Sequence, residues 1–218
     1  APEVAHHDLS SLKVIQNGGA QLAPELRRRL RAQLGCTPQE VYGTAEGLIN
    51  MTRLDDPDEL LLHSSGTPVC DEDEIRVVDD FGQDVPDGVS GELVTRGPYT
   101  IRGYYNAPEK NAEAFLPGGW YRMGDIVKCH GRSITTEGRR KDMINRGGEK
   151  ISCEEVENLI LTHPKVKTAV LVAMPDPLFG EKACACVVPV AGQTLAFDEL
   201  ITHLRGQQIA AFKLPERL

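Results

Sequence analysis

Gly138-Arg139-Arg140-Lys141-Asp142-Met143-Ile144-Asn145-Arg146-Gly147-Gly148-Glu149-Lys150-Ile151 separates two kinds of sequence. Five cations flank a glycine pair here. Such a stretch can bind an anion or form a mobile junction, and a solvated basic loop is the alternative. The pattern changes across it. Before it, β-type alternation and turns dominate; after it, helix and strand patterns alternate. The boundary is placed at Gly138–Asp142, which gives units 1–140 and 141–218.

Upstream, Leu12–Gln16 reads as a strand entering Asn17-Gly18-Gly19-Ala20. Pro24–Leu34 reads as a helix, with Leu26, Leu30 and Leu34 four apart and Gly35 as its stop. Glu40-Val41-Tyr42 is a strand ending at Gly43. Glu74–Val78, turns at Phe81-Gly82 and Pro86-Asp87-Gly88, and Gly91–Thr95 continue in β style. Ile126–Cys129 and Ser133–Thr136 form a hairpin around Gly131. Downstream, Cys153–Leu161 and Asp198–Leu204 read as helices, and Val166–Met174 and Ala183–Val190 as strands. That order suits a small α+β unit.

Composition bounds the function. The 218 residues carry 24 Lys plus Arg against 32 Asp plus Glu, a net charge of −8. This is a poor balance for general nucleic-acid binding, so no nucleic-acid partner is expected. Arg27-Arg28-Arg29 lies on the predicted helix and reads as a solvated face. Apolar runs are far shorter than the roughly 20 residues of a membrane helix, so no membrane partner is expected. Ala1–Asp8 lacks a basic start and an apolar run, so it does not read as a signal peptide. Cys36, Cys70, Cys129, Cys153, Cys184 and Cys186 show no zinc-ligand spacing. Cys184 and Cys186 should share one face of a buried strand, as small core side chains in a reducing cytosol.

Four motifs point to a nucleotide. Asn17-Gly18-Gly19-Ala20 lets backbone approach a ligand, or is a plain turn. Val41-Tyr42-Gly43-Thr44-Ala45-Glu46-Gly47 brings together a ring that can stack on a base and a carboxylate that can hold phosphate-bound Mg²⁺. Tyr121-Arg122-Met123-Gly124-Asp125 ends in an Asp that can grip a ribose diol, or is a turn Asp. The basic stretch around Gly147-Gly148 is the fourth.

In this order, the motifs resemble the adenylate-forming superfamily of acyl- and aryl-CoA synthetases, peptide-synthetase adenylation domains and luciferases. The matches are Tyr42-Gly-x-x-Glu46, Gly91-Glu-Leu with Gly97 and Gly103-Tyr104-Tyr105, Tyr121-Arg-x-Gly-Asp125, and Gly138-Arg139-x-Lys141-Asp142 through Gly148-Glu-Lys150. Gly18–Gln21, Tyr42–Asp56 and Asn145–Ile151 look most like stand-alone 2,3-dihydroxybenzoate–AMP and salicylate–AMP ligases of siderophore synthesis. The resemblance implies α/β and α+β parts: the latter portion of a large adenylation domain, with a mixed sheet and a β-barrel, then a small C-terminal domain.

It also implies roles. Gly19, Val41 and Ala45 would line the nucleotide and aryl junction, and Ile49 with Gly19 and Val41 would touch the aryl ring. Tyr42 would lie against adenine, Glu46 would reach Mg²⁺, and Asp125 with Arg139 beside it would hold the ribose. Lys141 would be the hinge, and Lys150 would meet ATP phosphate or the adenylate. Ala45 stands where the superfamily commonly has Thr, and Thr44 does not inherit that role. ATP and Mg²⁺ would be required. The substrates would be an aromatic acid and the phosphopantetheine thiol of an aryl carrier protein, in the cytoplasm.

The superfamily's phosphate loop ends in Gly-Lys, and this sequence contains no Gly-Lys. Ser64-Ser65-Gly66-Thr67-Pro68 is a decoy, placed downstream of Glu46 and followed by acids. The family's main catalytic lysine would fall beyond Leu218. The 218 residues are therefore expected to be truncated at both ends and inactive in adenylation alone. An acyl- or aryl-CoA ligase, and a non-catalytic carrier-binding fragment, are the alternatives.

Overall fold

The computed structural model describes residues 7–19 and 21–218. The N-terminal reading rests mostly on residues 1–6; these, and Ala20 of the glycine turn, lie outside the described residues. The chain divides into two compact units, Ala1–Thr136 and Glu137–Leu218.

In the first unit, β1 (Val14–Gly18) leads through α1 (Pro24–Leu34) to β2 (Thr37–Thr44), which lies parallel to β1. Antiparallel β3 (Gly47–Met51) follows, then α2 (Asp58–His63) and β4 (Thr67–Pro68), giving a sheet in the order β1-β2-β3-β4. Helix α1 begins with Pro at its first turn and ends at Gly35, whose φ of 65° is the left-handed value glycine adopts freely.

The buried face of α1 differs from the leucine stripe. Leu26 is exposed, while Arg27 is 1% exposed. Arg27 is not part of a solvated face: Nε donates to Leu22 O at 2.7 Å, and Nη1 to Ser64 O at 3.0 Å and Leu61 O at 3.2 Å. Its Nη2 pairs with buried Glu40 at 3.1 Å. A neighbouring strand thus supplies the charge that lets an arginine be buried.

A second sheet contains β5 (Glu74–Val78) and β6 (Gly91–Arg96); then, after α3 (Pro108–Ala114), β7 (Phe115–Leu116), β8 (Trp120–His130) and β9 (Ser133–Arg139). The order is β5-β6-β8-β7, with β9 also pairing β8. Leu48, Leu93, Val127 and Ile134 are fully buried within its core cluster. The Ser64–Pro68 decoy is structural. Ser65 N donates to Ile134 O, and Ile134 N to Gly66 O. A Cβ on Gly66 would fall 2.0 Å from the Met51 carbonyl carbon.

The second unit contains β10 (Ile144–Arg146), β11 (Glu149–Ile151), α4 (Cys153–Leu161), β12 (Val166–Asp176), β13 (Gly180–Pro189) and α5 (Phe197–Gly206). The antiparallel order is β11-β10-β13-β12. Ser152 caps α4 by accepting from Glu155 N at 3.1 Å. Val156, Ile160, Leu200 and Leu204 from the helices meet Leu171, Ala183 and Ala185 from the ribbon. Each large aliphatic buried this way contributes about 1.5–3 kcal/mol.

The β12–β13 register corrects the cysteine reading. Ala183 and Ala185 face the core; Cys184 is half-buried and Cys186 exposed on the opposite face. The two thiols share a face as the alternation requires, but that face is turned outward. The core side takes the alanines because small residues let α4 and α5 approach closely. Among the described residues, no helix is long and apolar enough to cross a membrane.

Candidate active site

The β2–β3 hairpin carries most of the candidate residues in the first unit. Its tip is Ala45-Glu46. Gly43 opposes Ile49, and the register shifts between Gly43 and Thr44. A Cβ on Gly43 would fall 2.2 Å from Leu48 O, so only glycine fits this crossing. Leu48 has φ 73°, an uncommon conformation for a bulky residue, and it is held there by complete burial. Thr44 Oγ1 donates to Gly47 O at 3.0 Å, and Ile101 N to Glu46 O at 2.8 Å. The tip is thereby tied to its own strand and to the loop after β6.

Cross-strand pairing sorts the side chains by face. Tyr42 opposes Asn50, and Val41 opposes Met51. Val41 and Ile49 therefore share one face, and Tyr42 lies on the other. Gly18 sits beside Val41 in the parallel pair. Gly19, just past β1, has φ 88° and open space where a Cβ would stand. Ile49 is 43% exposed, and its N–H donates to the Tyr99 hydroxyl at 3.3 Å. Burial, and a hydrogen bond to Asp73, push Tyr99 up to about 12.

Two residues distant in sequence meet on the Tyr42 side. The Tyr42 hydroxyl donates to Asp125 Oδ2 at 2.7 Å. Asp125 is 5% exposed, so the tyrosine fixes the direction of a nearly enclosed carboxylate. Glu46 Oε1 accepts from the Tyr104 hydroxyl at 3.0 Å. A hydrogen bond to Tyr121, then burial, then the bond to Glu46, raise the Tyr104 pKa far above the usual phenol range. Phe115 supports the Tyr104 and Tyr121 rings at centroid distances of 5.6 and 5.3 Å. Glu46, Tyr104, Lys110, Glu113, Glu92 and Arg122 line a cavity of about 570 Å³.

Mg²⁺ bound to nucleotide phosphates keeps several waters and takes one or two protein carboxylates. Glu46 fits that use. Among the described residues, no group of three or more His, Cys, Asp or Glu could hold a metal by itself.

Sequence reasoning missed two contributors. Asn17 Nδ2 reaches the Glu40 carboxylate at 3.1 and 3.2 Å, tying the glycine turn to the buried Arg27–Glu40 pair. Tyr104 was visible in Gly103-Tyr104-Tyr105 without a role. Its neighbour Tyr105 is fully exposed, so the pair could not be ranked from the sequence.

The remaining candidates belong to the second unit. Arg139 ends β9, Lys141 lies in a single 3-10 turn over Arg140–Asp142, and Lys150 lies in β11; all three are exposed. Gly147 and Gly148, both at positive φ, make the β10–β11 turn. Gly147 N donates to Phe179 O at 2.8 Å and Gly148 N to Asn145 Oδ1 at 3.1 Å.

Comparison with known proteins identifies the family. Residues 1–105 match the AMP-binding enzyme family, and residues 155–218 match the AMP-binding enzyme C-terminal domain. The chain is 51% identical over 212 residues to 2,3-dihydroxybenzoate-AMP ligase of Bacillus subtilis (strain 168), covering 97% of this chain and 39% of that protein. It is 53% identical over 209 residues to a salicylyl-CoA synthase / salicylate adenylyltransferase of Streptomyces sp, covering 95% and 38%. The amide bond synthetase McbA from Marinactinospora thermotolerans superposes with a TM-score of 0.89 at 32% identity, covering 100% of this chain and 45% of that one. The chain thus spans about two fifths of the length of the curated relatives it matches. Its two family matches, and its mixed α/β fold shared with these proteins, place it in the AMP-binding enzyme family, the adenylate-forming superfamily.

Proposed function

We propose that this chain supplies the ribose- and metal-facing part of an aryl-acid adenylating enzyme of siderophore synthesis. Such an enzyme joins 2,3-dihydroxybenzoate or salicylate to ATP, forming aryl-AMP and pyrophosphate, and passes the aryl group to a carrier protein's phosphopantetheine thiol. The observation that carries this reading is the Tyr42–Asp125 bond, which unites two motifs 83 residues apart.

In this reading the buried Asp125 accepts from the ribose hydroxyls, and Tyr42 holds it in that direction while its ring borders the adenine. Glu46, positioned by Tyr104, faces Mg²⁺, which supplies charge neutralisation at the phosphates. Val41 and Ile49, on the opposite face with Gly19 and Ala45 nearby, border the aryl group. Lys141 is the hinge between segments 1–140 and 141–218; Arg139 precedes it and contributes at the ribose, and Lys150 follows it and meets ATP phosphate or the adenylate. Catalysis by these residues is positioning and charge stabilisation.

The test is ATP–pyrophosphate exchange with 2,3-dihydroxybenzoate, salicylate and an aliphatic acid. It uses a polypeptide carrying this sequence within the length of its relatives. Exchange should depend on the aryl acid. Asp125→Ala should lower it about 10–100-fold, the scale of a lost hydrogen bond to a charged group, and Tyr42→Phe by less. The 218-residue chain alone should be silent. Undiminished exchange in Asp125→Ala, preference for the aliphatic acid, or robust exchange by the chain alone overturns the reading. The Streptomyces relative's name favours one second reading, transfer to coenzyme A. Comparing coenzyme A with a carrier protein as acceptor separates the two.

A further inference from the structure

Cys184 and Cys186 stand two residues apart on the outward face of β13. Val172 lies opposite Cys184, and Val170 opposite Cys186. Both valines are exposed, at 40% and 49%. The thiols therefore sit on an open apolar surface, next to each other along one strand. Burial first, then the neighbouring Cys186, raise the Cys184 pKa, and Arg217 opposes them.

The other thiols are placed differently. Cys36 and Cys129 are buried; Cys70 and Cys153 are half-buried like Cys184, but neither has a second thiol two residues away. The Cys153 thiol donates to Asp142 O at 3.0 Å, and burial pushes it up to about 11.

Strand geometry decides what this pair can hold. Alternate residues are roughly 6.6 Å apart along a strand, at the upper edge of the Cα separation a disulfide spans. A direct S–S bond would strain the ribbon. A single soft atom inserted between the sulfurs adds two bond lengths and relieves that strain. Thiolates select soft centres. A zinc ion would need further ligands, and among the described residues no group of three or more His, Cys, Asp or Glu could hold a metal ion. A centre that brings its own third substituent needs two thiols only.

We propose that Cys184 and Cys186 form a dithiol site for monosubstituted trivalent arsenicals, with the organic substituent resting on Val170 and Val172. The step balances without redox change. Phenylarsine oxide and two thiols give the cyclic dithioarsonite and one water; two S–H bonds and the As=O bond are lost, two As–S bonds form, and arsenic stays trivalent.

The test treats the folded 218-residue chain with phenylarsine oxide in excess glutathione, read by intact mass. One phenylarsenic adduct is expected, resistant to glutathione and removed by a dithiol. Cys184→Ser and Cys186→Ser should each lose it, and Cys70→Ser/Cys153→Ser should keep it. Tandem mass spectrometry of the unsubstituted protein should place the arsenic within Ala183–Pro189, a readout independent of how the variants fold. No adduct on the folded chain, an adduct that survives either single substitution, or arsenic mapped elsewhere overturns the proposal.

Discussion

The first unit encloses Arg27, Glu40, Asp73, Glu92 and Asp125, whereas the second packs Ile144, Ile151, Val156, Ile160, Leu200 and Leu204 around small ribbon residues. Among the second unit's described residues, the buried polar side chains are Ser152 and His163. The difference is one of purpose. Apolar packing is tolerant and non-directional, and it holds two helices on a ribbon. Buried charges are costly unless each finds a partner, but they fix direction. The first unit uses them where direction matters: Arg27 and Glu40 anchor β1, α1 and β2 behind the candidate site, and Asp125 is aimed by Tyr42.

The sharpest way to break this contrast is Arg27→Ala. It leaves Glu40 buried without its cation and three carbonyls without their donor. The expected loss is about 4 kcal/mol, the cost of halving a buried ion pair. Burial already raises the Glu40 pKa, opposed chiefly by Arg27, so the variant should drive that carboxyl further toward its neutral form. The double change Arg27→Met/Glu40→Leu should recover most of the loss, since a well-packed apolar pair can replace a buried ionic one. Trp120, the one tryptophan, lies in the first unit and reports its urea unfolding by fluorescence. An Arg27→Ala midpoint equal to the parent's would show that the buried pair is dispensable.

Leu200→Ala asks the same of the second unit. Leu200 is fully buried between α5 and its neighbours, and the expected cost is about 3 kcal/mol from lost transfer energy and cavity. All tryptophan and tyrosine lie in the first unit. The measurement therefore follows the Ile160 and Leu204 methyl signals by NMR in urea. A loss below about 1 kcal/mol would mean that the helices collapse onto the gap, and that this core is less specified than its burial implies.

How far the sequence could be read follows from the same contrast. The local signals were legible: Pro24 and Gly35 bracket α1, and the alternation around Gly131 marks the β8–β9 hairpin. Several short elements were not: α2, α3, β3, β10 and β11 each have seven or fewer residues, which leaves little period to see, whereas β5 and β6, equally short, were read with the help of the turns between them. The buried side of α1 was missed because the partner that makes Arg27 burial possible is on another strand. The Cys184–Cys186 alternation was right and its direction wrong; a period of two says which residues share a face, but not which face meets the helices. At the site, Tyr42, Glu46 and Asp125 could be named individually. The bonds Tyr42–Asp125 and Tyr104–Glu46 exist only once distant segments are folded together.

The smallest expected effect concerns the second unit's one buried titratable group. His163 is 5% exposed, and its Nδ1 accepts from Lys165 N at 3.2 Å. Its ring meets His203 edge-on at 4.8 Å, and Nε2 lies 3.7 Å from Glu199, which also pairs with Lys165 at 2.7 Å. A proton on Nδ1 would face an N–H donor. Burial first, then the charge of His203 and that of Lys165, lower the His163 pKa below 6.5, and Glu199 opposes them. The unfolded chain therefore binds the proton more readily between the depressed value and about 6.5. Stability from this residue is complete above that window and lost as pH falls through it, with a slope of at most about 1.4 kcal/mol per pH unit. His163→Gln keeps an acceptor for Lys165 N but cannot titrate. Its methyl-monitored urea midpoint should lose less between pH 6.5 and about 5.5 than the parent's. Parallel pH profiles for the two proteins would assign the acid sensitivity of this apolar unit to its surface carboxylates instead.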